Sequence, residues 1–373
     1  MRGIAVLLVL WYHVWEISWL PAPLRTLQFL PETGFVGVHL FFFLSGFVIT
    51  YPFLRAQLRG TPAPTWGHFA WRRFIKIVPA YVLSIAVAYA IGYAQVQDTT
   101  PAPLAVFTHL LFIHTWFPAT YGSINGVLWT LADEVEFYLL FPLLWLGFRR
   151  SPWLTAAAMI LVAMLWREET AVCCYHGLFS MYVENLPGYL DVFACGMLAA
   201  LLYARYTDRI DASPYRRLAP LLALAGATAF VMLLQSLYAH RYDDQWTAVW
   251  QIWRREWFGV AFAAIALGAL WSARAWQSLL ANRVLVFCGA ISYNLYLYHQ
   301  LLARELLWHH IPPYRGDPHF DPHWEVTYTL VAFAVTIAQA ALLTYLFERP
   351  LLRLPDPPKC WALLRSWGNA VRR

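Results

Sequence analysis

The chain has 373 residues, of which 60% are hydrophobic, 17% aromatic and only 13% charged, and its mean hydropathy is +0.49. That balance excludes a soluble globular protein, and apolar runs of about 20 residues recur as a multi-spanning helical membrane protein requires. The net charge of +6 comes from basic residues between apolar runs, which membrane topology explains better than nucleic-acid binding.

The first run, residues 4–20 (IAVLLVLWYHVWEISWL), contains His13 and Glu16, and Arg2 marks its start. An ionisable side chain in hydrocarbon costs about 2.5–3.5 kcal/mol even on lenient insertion scales, so these residues point to function by default. In helical geometry Arg2 and His13 lie about 16 Å apart on nearly one face. Glu16, three residues past His13, reaches the same face. A helix-end anchor with a structural hydrogen bond is the plainer alternative. His13 and Glu16 fit a retained helix better than a cleaved leader.

The second run, 35–54, is interrupted by His39, and Gly34, Gly37 and Gly46 permit close helix approach. Its Ser45 has no base beside it in sequence, which argues against a nucleophile. The third, 74–94, is entered through WRRFIKIVPAY. Arg72 and Lys76 share a helical face with Arg73 beside it, and Pro79 fits a helix start or kink. Arginine clusters match phosphate geometry, so a polyphosphorylated donor such as coenzyme A suits this patch; ordinary anchoring by positive charge explains it equally.

A short run, 104–117, holds His109 and His114, which read as structural. The fourth span, 127–148, contains TLADEVEFY. Trp129, Asp133 and Glu136 fall on one face, while Glu134 and Tyr138 form an i,i+4 pair. These acids need a wet cavity or a satisfied polar core. Further spans are 152–166, 188–204, 218–238, 257–273, 284–301 with His299 near its outer end, and 325–347.

Loop charge sets the topology. The loop 55–76 carries Arg55, Arg59, Arg72, Arg73 and Lys76 with no acid, which places it and the amino terminus in the cytoplasm. If 104–117 does not cross, Arg149, Arg150, the Arg205–Arg217 group, Arg274, Arg283 and the carboxyl-terminal basic group all fall inside as well. The expectation is an all-α polytopic membrane protein with about ten transmembrane helices and both termini cytoplasmic. Residues 1–350 form the membrane domain and 351–373 a short basic cytoplasmic tail. Arg2, Arg72, Arg73 and Lys76 then form an inner layer. His13, Glu16, Asn125, Trp129, Asp133, Glu134, Glu136, Tyr138 and His299 form an outer one.

No Gly-x-Ser-x-Gly elbow, P-loop or dinucleotide fingerprint is present. The five cysteines have neither metal-ligand spacing nor a disulfide framework, and the adjacent Cys173–Cys174 pair reads as incidental. His309–His310 and His319/His323 lack a third ligand, so no metal is expected.

These residues resemble the integral-membrane acyltransferase 3 family of bacterial O-acyltransferases along nearly the whole chain. The resemblance rests on Arg2 and His13, with ten residues between them; Gly37 to Phe47; and Arg72, Arg73, Lys76, Pro79 and Tyr81. It continues through Asn125, Trp129, Thr130, Leu131, Glu134, Phe137 and Tyr138, then Ser292, Tyr293, Tyr296, Leu297 and His299, then Glu348-Arg349-Pro350. Six elements in order are a specific signal. Two departures stand out: Lys76 replaces a common arginine, and Met1 abuts Arg2 where the family has a short preceding segment. The chain therefore reads as starting at an internal methionine, and as a stand-alone version with no soluble extension.

The resemblance implies transfer of a short acyl group, acetyl foremost, from cytoplasmic acyl-CoA to a hydroxyl of a glycan or related acceptor, in a bacterial inner membrane. Acyl-CoA is then a co-substrate, and no tightly bound cofactor is expected. Hydroxyl attack on a thioester needs a base. His13 takes that role, with Glu16 or Glu134 orienting it or stabilising imidazolium. Arg2, Arg72, Arg73 and Lys76 hold donor phosphates, and Asn125, Trp129, Tyr138 and His299 line the acceptor side. A transporter of a glycan intermediate or acyl group, without ester-forming chemistry, is the alternative. A purely structural subunit leaves the buried charges unexplained.

Overall fold

The computed structural model describes residues 1–94, 101–174 and 179–355, so most of the expected basic tail, with Lys359 and Cys360, lies outside the described residues. Among the described residues the regular elements are all helical. The long helices are α1 (Arg2–Ser18), α2 (Gly37–Arg59), α3 (Trp66–Ala90), α4 (Trp129–Phe148), α5 (Pro152–Cys174), α6 (Leu190–Asp211), α7 (Ala219–Ala239), α8 (Arg255–Trp271), α9 (Arg283–Trp308) and α10 (Pro322–Leu343). Each overlies one of the apolar runs.

Among the described residues five stretches are long and apolar enough to cross a membrane, namely Gly34–Arg59, Trp66–Ala90, Leu186–Asp211, Arg216–Ala239 and Pro322–Leu352. A sixth is the pair Arg274–Leu280 and Arg283–Trp308, bent by 47°. α1 and α8 are both shorter, at 17 residues, and α4 carries its three acids. The run 104–117 contains only the nine-residue helix Ala102–Leu110 and a single turn at His114–Trp116. At about 1.5 Å per residue that helix is far too short to cross.

Helix limits follow local chemistry. α3 begins at Trp66, eight residues before the expected start, because Thr65 caps it by accepting from the His68 amide. Pro79 therefore lies inside the helix and not at its entry. Asn125 caps the turn before α4 through the Val127 amide, and Asp321 caps α10 ahead of Pro322, an ideal first residue. After α10 a wider turn over Thr344–Glu348 rotates Glu348 inward, as such insertions do at sites.

α1 is held between α2 and α9, and small residues make this possible. A Cβ at Gly34, Gly37 or Gly46 would lie 2.3 Å from the carbonyl oxygens of Leu8, Ala5 and Phe193 respectively. The α1–α2 and α2–α6 crossings are thus backbone to backbone. A second tie joins α5, α6 and α8. Arg167, fully buried, donates to Asp191 Oδ2 of α6 at 2.6 Å, to Glu256 Oε2 of α8 at 3.4 Å, and to the Gly188 and Ile252 carbonyls at 2.7 and 3.1 Å. Cys173 and Cys174, read as incidental, are bonded to each other. The link joins neighbours only, so it ties no distant segments.

Candidate functional site

Two adjoining cavities lie at the start of α1 and a third at its end. At its start an inner cavity of about 270 Å³ is lined by Arg2, Arg72, Arg73, Lys76, Ser45 and Glu134, with Tyr138, Tyr293 and Leu352. At its end an outer cavity of about 1030 Å³ is lined by His13, Glu16, Trp19, Gln300, Arg304, Glu305 and Trp308 among others. A throat of only about 30 Å³ shares Arg2, Glu134 and Tyr293 with the inner cavity and extends to Thr130 and Tyr296. The Thr130 hydroxyl donates to the Tyr296 oxygen at 2.8 Å, which narrows it.

The inner cavity gathers four cations from two helices distant in sequence, but they differ in commitment. Lys76 pairs with Glu348, whose other oxygen accepts from Asn294 Nδ2 at 2.8 Å. Arg72 donates to the Leu352 carbonyl at 2.8 Å. Arg73 instead lies against the rings of Tyr138 and Phe69, 5.4 and 5.8 Å from their centroids, and its Nε has no hydrogen-bond partner. Glu134 accepts from Ser45 Oγ at 2.5 Å and from the Tyr138 hydroxyl through the same oxygen.

In the outer cavity His13 Nδ1 lies 2.8 Å from Glu16 Oε2. A carboxylate only accepts, so Nδ1 carries the hydrogen and the lone pair of the neutral ring sits on Nε2. The Gln300 amide comes within 3.4 Å of the same Nδ1. The His299 ring stands 4.9 Å from that of His13. Trp19 rests on His319, with ring centroids 4.2 Å apart. The aromatic and polar lining suits a polar, ring-bearing ligand.

A family model described as an acyltransferase domain matches residues 1–345. The chain belongs to the acyltransferase 3 family. It is an enzyme that transfers acyl groups, and its apolar helices make it a multi-pass membrane protein. Nodulation protein 10 of Rhizobium leguminosarum bv. viciae is 26% identical over 379 residues, covering 95% of this chain and 92% of its own. ORF330 of Acidianus two-tailed virus, named as an acetyltransferase, is 26% identical with 82% of each chain covered. The O-acetyltransferase OatA of Staphylococcus aureus is 23% identical over 318 residues, which cover 80% of this chain but only 49% of OatA, so the chain spans about half the length of that relative. No solved structure matches.

Against this family membership, the structure redistributes several residues of the expected two layers. Glu134 and Tyr138 sit in the inner cavity with the cations, not beside His13, because the α4 face carrying them turns toward α2 and α3. Asn125 is buried and its Nδ2 donates to the Leu297 carbonyl at 2.9 Å, tying the start of α4 to α9. Trp129 packs on Tyr189 and Phe42. Neither lines the outer cavity, whose walls come from α1, α9 and the loops around them.

Asp133 is fully buried, and Glu136 accepts from Trp116 Nε1 at 2.6 Å. His109 and His114 stack on each other at 3.8 Å away from both cavities. In that loop position His114 is held well below the usual imidazole range, first by burial and then by His109.

Gln300, Arg304, Glu305 and Trp19 escaped the sequence reading. A signal for the first two existed: residues 296, 300 and 304 recur on one helical face, directly beside His299.

Proposed function

We propose that the protein is a membrane O-acyltransferase that moves a short acyl group, acetyl foremost, from cytoplasmic acyl-CoA to a hydroxyl of a glycan or related acceptor. The observation that carries this reading is that a single helix, α1, sets Arg2 in the cation-lined inner cavity and His13 in the larger outer one, while the narrow throat extends the inner cavity to Thr130 and Tyr296. In this reading α1 to α10 all cross a bacterial inner membrane and both termini face the cytoplasm. The O-acetyltransferase name of the staphylococcal relative supports the ester product.

The donor's phosphates rest on Arg2, Arg72, Arg73 and Lys76, and its long flexible arm carries the thioester along the throat. His13 Nε2 takes the proton of the acceptor hydroxyl as its oxygen bonds to the acyl carbon. The carbon–sulfur bond then breaks, and the proton passes to the thiolate that leaves. Glu16 fixes the tautomer of His13 and stabilises the imidazolium formed in between. Glu134 belongs to the donor side, where it holds Ser45 and Tyr138 and offsets part of the positive charge.

The test is acyl-CoA turnover by detergent-purified protein with cell-envelope glycan as acceptor, wild type beside His13→Ala. Loss of both CoA release and acyl incorporation in the variant is expected. Equal activity would remove His13 from the chemistry.

A further inference from the structure

His299 is buried at 1% exposure, and its two ring nitrogens have opposite surroundings. Nδ1 lies 2.7 Å from the Tyr296 carbonyl oxygen and 3.2 Å from that of Leu295. Carbonyls only accept, so Nδ1 carries the hydrogen and the lone pair is on Nε2. That Nε2 has no hydrogen-bond partner. His13 is in the matching state, with Nδ1–H committed to Glu16 at 2.8 Å and its lone pair on Nε2. The ring centroids are 4.9 Å apart, and the planes are tilted by 43°.

Two imidazoles thus stand side by side, each anchored through Nδ1–H and each with an uncommitted Nε2. A buried, unpartnered nitrogen is unusual in a folded protein and asks for a reason. A structural hydrogen bond to the Tyr296 carbonyl accounts for Nδ1 alone. It does not account for the bare Nε2 beside the ring that lines the outer cavity.

We infer that His299 is a positioning residue acting through His13: a second imidazole, its ring 4.9 Å from that of His13, whose Nε2 lone pair stabilises the positive charge that His13 acquires when it takes a proton. This inference rests on the reading of His13 as the base. In the balance of the reaction the proton leaves the acceptor hydroxyl, is held on His13 Nε2 beside the His299 ring, and returns to the departing thiolate. No net proton is gained by the pair. Other charged or titratable groups around it are Tyr12 and Glu16 on α1, Tyr296, Arg304 and Glu305 on α9, and His319 in the loop before α10. Each remains in place when His299 alone is changed.

The experiment uses the full chain in detergent and compares His299→Asn and His299→Gln with wild type, across pH, by acyl-CoA turnover. The asparagine amide can keep the hydrogen bond to the Tyr296 carbonyl but leaves nothing at the position of Nε2. The longer glutamine amide restores an acceptor there. The inference expects His299→Asn to lower kcat about tenfold with KM nearly unchanged, equivalent to about 1.4 kcal/mol. The acid limb of its profile should move to lower pH, since protonated His13 has lost its neighbour. His299→Gln should recover much of kcat.

An unchanged kcat and acid limb in His299→Asn, with His13→Ala inactive, would overturn the role of His299 alone. Activity in His13→Ala would instead bring down the underlying reading. Should neither His299 variant fold, ¹⁵N-histidine NMR of the wild type decides. The two rings sharing their first proton in one coupled step is the expected result, and two independent titrations would overturn it.

Discussion

Lys76 of α3 and Glu348 of the turn after α10 form an ion pair beside the inner cavity, with Glu348 only 4% exposed. Glu348 also accepts from Asn294 of α9, so one carboxylate joins three segments of the chain. Removing a single partner leaves a charge in poor solvation, which costs about 3–5 kcal/mol for a well-buried pair. Because Lys76 is 23% exposed, the lower end of that range applies. Glu348→Ala should lower the thermal midpoint in detergent, while Lys76→Met combined with Glu348→Leu should recover most of the loss. A double variant as unstable as the single one would show that the pair is not what holds these segments.

That pairing has a consequence for donor binding. Lys76 is shared with Glu348 and Arg72 with a carbonyl, whereas Arg73 keeps an unpartnered Nε against two aromatic rings. A charge-assisted hydrogen bond is worth about 1.5–3 kcal/mol. Arg73→Ala should therefore raise the KM for acyl-CoA at least tenfold, by roughly 1.4 kcal/mol, with little change in kcat. Arg73→Lys should fall between, since it keeps the charge and loses the planar fork. Steady-state kinetics over donor concentration give the answer, and an unchanged KM in Arg73→Ala would place the phosphates elsewhere.

The throat offers a separate test of how the two cavities cooperate. Thr130→Val removes one hydrogen bond to Tyr296 and keeps the shape, at a cost of about 0.5–1.5 kcal/mol in stability. Transfer should survive it. Thr130→Phe forces a ring into about 30 Å³ of space, and overpacking of that kind costs about 1–3 kcal/mol. Donor binding, read by calorimetry, should persist while acyl transfer falls at least 100-fold, or about 2.7 kcal/mol in the barrier. Full transfer by Thr130→Phe would mean that the acyl group takes another way.

Much of this organisation was legible because it is written in local pattern. His13 and Glu16 share one helical face, and so do Arg72 and Lys76. The helices over the apolar runs follow from length and composition. What the sequence concealed depends on how helices turn against one another. Glu134 and Tyr138 were visible as a pair, but their side of α4 is settled by packing with α2 and α3, and Ser45 found a carboxylate 89 positions away. The same holds for Arg167, whose partners Asp191 and Glu256 lie 24 and 89 positions on. Asn125 and Trp129 are hard to place for another reason: a polar cap and an indole at a helix start look alike whether they face a ligand or a neighbouring helix.

Glu184, in the loop between α5 and α6, ties that loop to the one before α4 by accepting from the Tyr121 hydroxyl. Loss of water around it raises its carboxyl above the ordinary value of 4.5, and the Tyr121 bond and Arg255 pull it only part of the way back. In the unfolded chain the group ionises near that ordinary value. Between the two values the folded state still holds a proton that the unfolded state has lost, so stability falls as pH rises through this window and levels off above the folded value. Glu184→Gln cannot ionise, and its amide oxygen still accepts from Tyr121. Its advantage over wild type should be absent below about pH 4.5, grow as pH rises, and become constant only above the value at which the folded carboxyl ionises. Thermal midpoints of both proteins in one detergent from pH 4 to 8 supply the comparison, and parallel curves throughout would mean that Glu184 is ionised in the folded protein as readily as in water.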